Sequence, residues 1–440
     1  MSARETVFTY AAPSLKFGAG ASAEIGHDLA QLLAAPPRRV LLVTDPGVAA
    51  TGHPARIAQQ VTEATGAEVV VFDRARVEPT DASMAEAIDF GRAEGPFDAV
   101  VAVGGGSAID TAKAVDLLLT NPGELMDYVN APVGGGRAPA HPLLPLVAVP
   151  TTTGTGAEST TICVLDVLSL EVKTGISHAR LRPSLAVVDP DLTLSQPAMV
   201  TASAGMDILC HALESYTARW FGENAAKKPE QRVPYNGSNP ISDVWCEKAL
   251  SLLAGAFRGA VTAARSGEDP ESARGVREQM AMAATFAGLG FGNAGVHVPH
   301  ACAYPIAGRA REFRAEDYPA YEGGDGPLVP HGMAVSLTAP EAFRLTFDAS
   351  PTRHLRAAQL LDPHGAVAAE EGPDLLPAVV ATLMRDIGIP NGLSAVGFGE
   401  GDVDGLVEGA WAQQRLLATA PRDITTEDLA VVFRGSLEHW

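Results

Sequence analysis

Residues 99–119 read AVVAVGGGSAIDTAKAVDLLL, and this stretch decides the fold. Its first five residues, Ala99–Val103, form a short, β-branched, continuously apolar run, as a strand buried on both faces of a parallel sheet requires. Three glycines and Ser107 then open a segment that reads as a helix. Glycines at such a turn let the backbone approach a phosphate, and the free N–H groups at the helix start bind the anion. Gly104, Gly105, Gly106 and Ser107 are therefore candidate cofactor-binding residues, joined by Asp110 one turn into the helix. Ser107 is also placed to cap that helix. A plain strand-to-helix turn would use the same residues, and they do not spell the GxGxxG fingerprint.

Outward from this stretch the same strand type recurs at Arg39–Thr44 (RVLLVT), Glu68–Phe72 (EVVVF) and Leu146–Val149 (LVAV). Helical patterns near His53–Ala64 and Ala82–Glu94 separate the earlier runs, and SAEIGHDLAQLLAA precedes them as a further helix. The alternation predicts a doubly wound α/β domain whose parallel sheet binds ligands at the carboxyl ends of its strands. At the N-terminus, TVFTY and SLKFG predict two short strands of a hairpin joined by a Pro-containing turn. After about Asp191 strand-like runs nearly vanish. Ala202–Trp220, Pro240–Ser266, Pro270–Ala287, Leu355–Ala369 and Leu375–Asp386 predict a second, all-helical domain. A chain of 440 residues suffices for two cores, here placed at 1–192 and 193–440. Lys227–Asn239 reads as a polar loop and Tyr321–Pro327 as a Gly-rich turn.

Two further loops carry cofactor chemistry. PTTTGTGAES, 150–159, also follows a buried strand, and its threonines and glycines suit a loop that wraps polar cofactor groups. A hydroxyl-rich turn satisfying its own backbone would look the same. Asp45 ends the first parallel strand, placed for the 2′- and 3′-hydroxyls of an adenosine ribose. Its charge would repel a 2′-phosphate, favouring NAD over NADP, although Asp45-Pro46-Gly47 is also ordinary turn chemistry.

In the helical half, GMDILCHALESY (205–216) carries an apolar stripe of Ile208, Leu209, Ala212 and Leu213. Asp207 and His211, four residues apart, project from one face of that helix and can hold one edge of a divalent metal. His300 in VPHACAYP and His331 in VPHG, each directly after a proline, are further candidate ligands.

Taken together, GGGSAIDTAKAV, VPTTTGTGAES, the Asp207/His211 helix, His300 and His331 resemble the iron-dependent alcohol dehydrogenase family along nearly the whole chain. VEPTD (77–81), GMDILCHALESYT (205–217), YNGSNPISD (235–243), FAGLGFGNAGVH (286–297) and PLVPHG (327–332) are most similar to its hydroxyacid–oxoacid transhydrogenase branch. The resemblance implies an N-terminal α/β dinucleotide-binding domain and an all-α C-terminal metal-binding domain, the dehydroquinate synthase-like architecture. It implies metal ligands at Asp207, His211, His300 and His331. Fe²⁺ suits such a set, and Zn²⁺ binds it more tightly by the usual affinity order. It further implies NAD on Gly104–Ser107, with Thr151, Thr152 and Thr155 near the cofactor, as well as Lys173 in EVKTGI.

Many iron-type dehydrogenases carry a second histidine four residues after the third ligand. Here Tyr304 stands there, as in the transhydrogenase-like sequences. Tyr304 is then a candidate proton relay or packs on the nicotinamide, and His297 is the other candidate for proton handling. The implied reaction moves hydride from 4-hydroxybutyrate or a similar hydroxyacid to 2-oxoglutarate through tightly bound NAD. An ordinary NAD-dependent alcohol or hydroxyacid dehydrogenase with exchanging cofactor would use the same site residues. Both acids carry carboxylates, so Arg311 or Arg314 of GRAREFR is nominated as the carboxylate clamp, with solvated helix arginines as the other reading.

Composition bounds the rest. A net charge of −20 opposes non-specific nucleic acid binding and adhesion to anionic membranes, so the expected partners are small hydroxyacid, oxoacid or alcohol substrates. Relatives of such a fold are commonly homo-oligomers, and the same is expected here. No apolar run approaches the ~18–20 residues of a membrane helix. The four cysteines, Cys163, Cys210, Cys246 and Cys302, form no CxxC pair, and the first residues lack the apolar core of a signal peptide. These features predict a cytoplasmic protein.

Overall fold

In this computed structural model, which describes residues 3–170, 172–267, 271–318 and 326–440, the β-branched runs build one sheet. The strands are β1 (Ser14–Phe17), β2 (Arg39–Val43), β3 (Glu68–Phe72), β4 (Ala99–Gly104), β5 (Leu146–Pro150) and β8 (Leu185–Val188), in the order β1-β8-β5-β4-β2-β3. Every pairing is parallel. Both faces are covered, which is why the runs are continuously apolar. Leu41, Val43, Val100 and Ala102 point to one side, where α3 (Asp81–Glu94) and α4 (Gly106–Thr120) supply Met84, Ile88, Ala108 and Ile109. Val40, Leu42, Val101 and Val103 point to the other, against Ile25 and Leu29 of α1 (Ile25–Leu32) and Ile57 and Val61 of α2 (His53–Thr65). A separate antiparallel pair, β6 (Ile162–Val167) and β7 (Val172–Ser177), was not anticipated.

This sheet and its helices form one compact unit, Ala12–Leu194; the other is Ser195–Trp440 together with the N-terminal residues up to Ala11. The expected N-terminal hairpin is therefore corrected. Only Ser14–Phe17 is a strand, and it pairs parallel with β8. TVFTY belongs instead to the helical unit. There the Glu5 carboxylate accepts the N–H groups of Thr6, Val7 and Lys227, and the Phe8 ring meets that of Phe221 at 4.8 Å. Side-chain anchoring replaces the strand ladder.

The helical unit comprises α5 (Ala198–Thr217), α6 (Pro240–Ser266), α7 (Arg274–Ala294), α8 (Val298–Gly308), α9 (His331–Thr346), α10 (Pro351–Leu361), α11 (Leu375–Ile387), α12 (Val403–Trp411) and α13 (Thr426–Gly435), besides shorter turns. α6 starts where the Asn239 side chain accepts from the Ile241 and Ser242 N–H groups with Pro240 at N1, and it stops at Gly267 in a left-handed conformation. α5 is the centre of this unit: nearly every residue from Thr201 to Thr217 is buried. α7 begins later than expected; Pro270 lies outside the described residues, as do positions 321–325 of the anticipated Gly-rich turn. α8 and α9 escaped the sequence because they are buried on almost all sides and show no polar–apolar period, and each holds an internal proline, Pro305 or Pro340. Among the described residues no helix is long and apolar enough to cross a membrane.

Candidate metal centre and cofactor loops

α5 presents Asp207 and His211 one turn apart on its buried face, and α8 and α9 bring His300 and His331 to the same carboxylate. The Nε2 atoms of His211 and His300 each lie 3.6 Å from Asp207 Oδ1, and that of His331 lies at 3.9 Å. These gaps are too long for hydrogen bonds. They match donors ranged around one ion, since tetrahedral bonds near 2.1 Å separate the donors by roughly 3.4 Å. Donor atoms of Asp207, His211 and His300 lie mutually within 4.8 Å, and all three residues are buried. Asp207 Oδ1 and His300 Nε2 are buried with no hydrogen-bond partner, a state that a cation between them would relieve. The residues fit a divalent metal.

The electrostatics fit at Asp207 and His211. At His300 burial lowers the imidazole, but the Glu214 and Asp207 carboxylates outweigh it and raise it to about 9, so a metal must displace a proton there. Burial pushes the Asp207 carboxyl up, but the His211, His300 and His331 imidazoles outweigh it and hold the group well below the usual carboxylate range. Burial pushes the His211 imidazole down to about 4. A charged carboxylate and a neutral imidazole are the metal-binding forms. The His211 ring also stacks on Phe291 at 3.8 Å between centroids, which fixes its plane.

The close approach of α9 to α5 depends on Gly332. A Cβ there would lie 2.1 Å from the Ser203 carbonyl oxygen and 2.8 Å from Asp207 Cβ, so only glycine lets His331 reach the cluster. A residue that the sequence reading missed is Glu214, fully buried on α5. Its Oε1 lies 2.6 Å from His300 Nδ1. Its signal was available: an acid seven residues after Asp207 in an otherwise apolar stretch.

Tyr304, one turn after His300, is buried with its ring 6.2 Å from that of His331. His297 is corrected as a proton-handling candidate. Its Nε2 is 3.1 Å from the Thr217 hydroxyl and its ring meets Phe343 edge-on, a structural position. The arginine clamp is corrected as well. Arg311 is 69% exposed and pairs with Asp402 at 2.8 Å, while Arg314 donates to the Gly326 carbonyl at 2.7 Å. A solvated ion pair and a loop tie do not make a desolvated carboxylate site.

Within the α/β unit the cofactor candidates converge. A Cβ on Gly106 would lie 2.7 Å from the Thr155 side chain, one on Gly105 3.0 Å from Thr152 Oγ1, and one on Gly104 3.3 Å from Asp45 Oδ2. The Thr151 N–H donates to the Gly104 carbonyl at 3.0 Å, knitting the two loops, and the Thr151 hydroxyl is buried without a hydrogen-bond partner. Two residues, Ser107 and Asp110, behave differently from expectation. Ser107 does not cap: the helix starts at Gly106, and the Ser107 hydroxyl accepts the Glu78 N–H at 3.2 Å. Asp110 is turned away to structure, accepting the Val164 N–H at 3.0 Å beside Lys113 at 3.6 Å. Asp45 does act as turn chemistry, its Oδ1 capping the Val48 N–H at 3.0 Å, and burial holds its carboxyl above the usual range. Lys173 is held by Glu78 at 2.6 Å and Asp166 at 3.2 Å.

The iron-containing alcohol dehydrogenase profile matches residues 12–190, and the C-terminal profile of the same family matches 230–311 and 325–437. The chain therefore belongs to the iron-containing alcohol dehydrogenase family, metal-dependent oxidoreductases acting on CH–OH groups. It is 42% identical over 436 residues to the mitochondrial hydroxyacid-oxoacid transhydrogenase of Rattus norvegicus, covering 98% of this chain and 90% of that protein. The Homo sapiens protein of the same name is 41% identical over 435 residues, with the same coverage. A crystal structure of 1,3-propanediol oxidoreductase superposes with a TM-score of 0.80 at 30% identity, over 98% of this chain and 100% of that one. The sulfoacetaldehyde reductase from Bifidobacterium kashiwanohense in complex with NAD+ gives 0.76 at 27%, over 97% and 98%. The expectation of a cytoplasmic protein is overturned by the relatives' names, which place those proteins in mitochondria. Unpaired buried cysteines are compatible with any reducing compartment and could not single out the cytosol.

Proposed function

We propose that the protein is a hydroxyacid–oxoacid transhydrogenase, moving hydride from 4-hydroxybutyrate or a similar hydroxyacid to 2-oxoglutarate through NAD that stays bound. The observation that carries the reading is the convergence of three imidazoles on the buried, unpartnered Oδ1 of Asp207. The extent of identity to the transhydrogenases, over 98% of the chain, supports the choice of branch. Asp207, His211, His300 and His331 would hold a divalent metal, Fe²⁺ in this reading with Zn²⁺ as the alternative. When bound, the metal supplies a Lewis acid that lowers the pKa of a substrate hydroxyl. Gly104–Gly106 keep the start of α4 bare for the cofactor pyrophosphate. Thr151, Thr152 and Thr155 would donate or accept around it. Lys173, its ammonium set between Glu78 and Asp166, would offer its remaining N–H to a cofactor hydroxyl. Buried Tyr304, beside His331, is the candidate for passing a proton from the substrate.

Retention of the cofactor sets a condition. At a turnover of about 10 s⁻¹, a Kd near ~1 nM and an on-rate of roughly 10⁶ M⁻¹s⁻¹ would release cofactor at about 10⁻³ s⁻¹, slow enough for many cycles. The test uses metal-reconstituted protein freed of loose nucleotide by gel filtration. It is given 4-hydroxybutyrate and 2-oxoglutarate without added NAD, and 2-hydroxyglutarate is followed. Sustained turnover supports the transhydrogenase. Product only on addition of NAD, with NADH accumulating on 4-hydroxybutyrate alone, identifies an ordinary dehydrogenase.

A further inference from the structure

We propose that Glu214 is the positioning residue of the metal centre, fixing the aim and tautomer of His300 and thereby setting metal affinity. The inference rests on the metal-binding reading above. Asp207, His211 and Glu214 follow one another along α5 at spacings of four and three residues, so one helix face carries all three. Glu214 has no exposed surface. Its Oε1 lies 2.6 Å from His300 Nδ1, and its Oε2 accepts the backbone N–H of His297 at 2.6 Å and of His300 at 3.4 Å.

Those two backbone groups are the N-cap and third residue of α8, donors that no carbonyl of the helix can satisfy. A single carboxylate therefore seats both the start of α8 and the ring that α8 carries. Because the carboxylate offers only acceptors, the imidazole presents Nδ1–H to it, and in the neutral form that binds a metal the bare nitrogen is Nε2. Nε2 is the atom 3.6 Å from Asp207 Oδ1 and without a hydrogen-bond partner. A carboxylate on the remote nitrogen also makes an imidazole a stronger donor to a metal. Three ligands are thus referred to one helix, Asp207 and His211 directly and His300 through Glu214. His331 is referred to α5 through the α9 backbone, where Gly332 packs against Ser203 and the Met333 N–H donates to the Ser203 hydroxyl at 3.1 Å.

The test is competition against a chromophoric chelator, with Zn²⁺ and Co²⁺ as probes, on wild-type protein and Glu214→Gln. An amide cannot replace the carboxylate: with its oxygen on His300 Nδ1–H, its NH₂ would face the His297 N–H. Glu214→Gln is expected to bind metal about 10–100-fold more weakly and to shift the visible absorption of bound Co²⁺. His354→Gln, at a buried histidine of α10, is the structural control: it should lower stability and leave metal affinity at the wild-type value. Wild-type affinity and an unchanged Co²⁺ spectrum in Glu214→Gln would overturn the proposal. Should that variant not fold, wild-type zinc protein labelled with ¹⁵N-histidine decides, with Nδ1–H expected on His300 and Nε2–H refuting it. Failure of wild-type protein to take up either ion would instead remove the metal centre itself.

Discussion

Asp45 caps a turn and is proposed to select the cofactor, and a single substitution can separate the two. Its Oδ1 caps the short turn at Val48, and its charge stands beside Gly104. Serine caps about as well as aspartate but carries no charge. Asp45→Ser is expected to keep stability within about 1 kcal/mol while raising affinity for NADPH relative to NADH by roughly tenfold or more, about 1.4 kcal/mol, as read by nucleotide fluorescence titration. Unchanged preference would return Asp45 to turn chemistry alone. Arg311 gives the opposite prediction. Its own side chain is largely exposed in its pair with Asp402, so Arg311→Met should leave KM for both acids unchanged and cost no more than about 1 kcal/mol of stability. A raised KM for both acids would restore the clamp. At this scale the sequence showed which residue types were present, and their exposure decided which of them could act.

At the scale of elements, the approach of α9 to α5 is set by one missing Cβ. Gly332→Ala must move the Ser203 carbonyl or α9 itself. Overpacking of this kind costs about 1–3 kcal/mol, and here it also pulls His331 from Asp207. We expect a lower melting temperature together with reduced metal content by elemental analysis; a destabilised variant with full metal content would separate Gly332 from the site. The contact of α9 with α10 carries a pH dependence. His354 bonds the Thr346 hydroxyl at 3.0 Å through Nε2 and the Ser350 carbonyl at 2.9 Å through Nδ1. Burial lowers its pKa from 6.5 to about 4. The unfolded chain therefore takes up this proton first as pH falls. Stability is full above 6.5 and is lost progressively toward 4. At pH 5 the share of His354 is roughly 2 kcal/mol. In urea unfolding at pH 7 and 5, His354→Gln should lose less stability between the two than wild type by about that amount. An equal loss would assign the acid sensitivity to other groups.

For the whole molecule, the proposed metal ligands come from α5, α8 and α9, so a bound ion would join three helices of one unit. An ion that binds only the folded form at ~100 times its Kd adds about 2.7 kcal/mol. Chelation should lower the melting temperature by several degrees and speed amide exchange first in α5, α8 and α9, with both restored by added metal. Exchange rising uniformly along the chain would contradict a local centre. Much of the architecture was legible without coordinates. Strands 68–72 and 39–43 and the helix at 240–266 are marked by unbroken apolar runs and by an Asn-Pro start with a glycine stop, all local signals. The first strand was misassigned because TVFTY alternates like a strand, yet its partners lie beyond residue 220.

By itself the sequence determined the buried parallel strands, the bare glycine turn and the Asp207/His211 pair, because each depends on residues within a turn or two of one another. Only the tertiary structure decided that His300, 86 residues from Glu214, is held by it, that Gly332 admits His331, and that Asp110 and Arg311 are committed elsewhere. Side-chain direction and burial follow from how separate helices pack, and no local pattern encodes that packing.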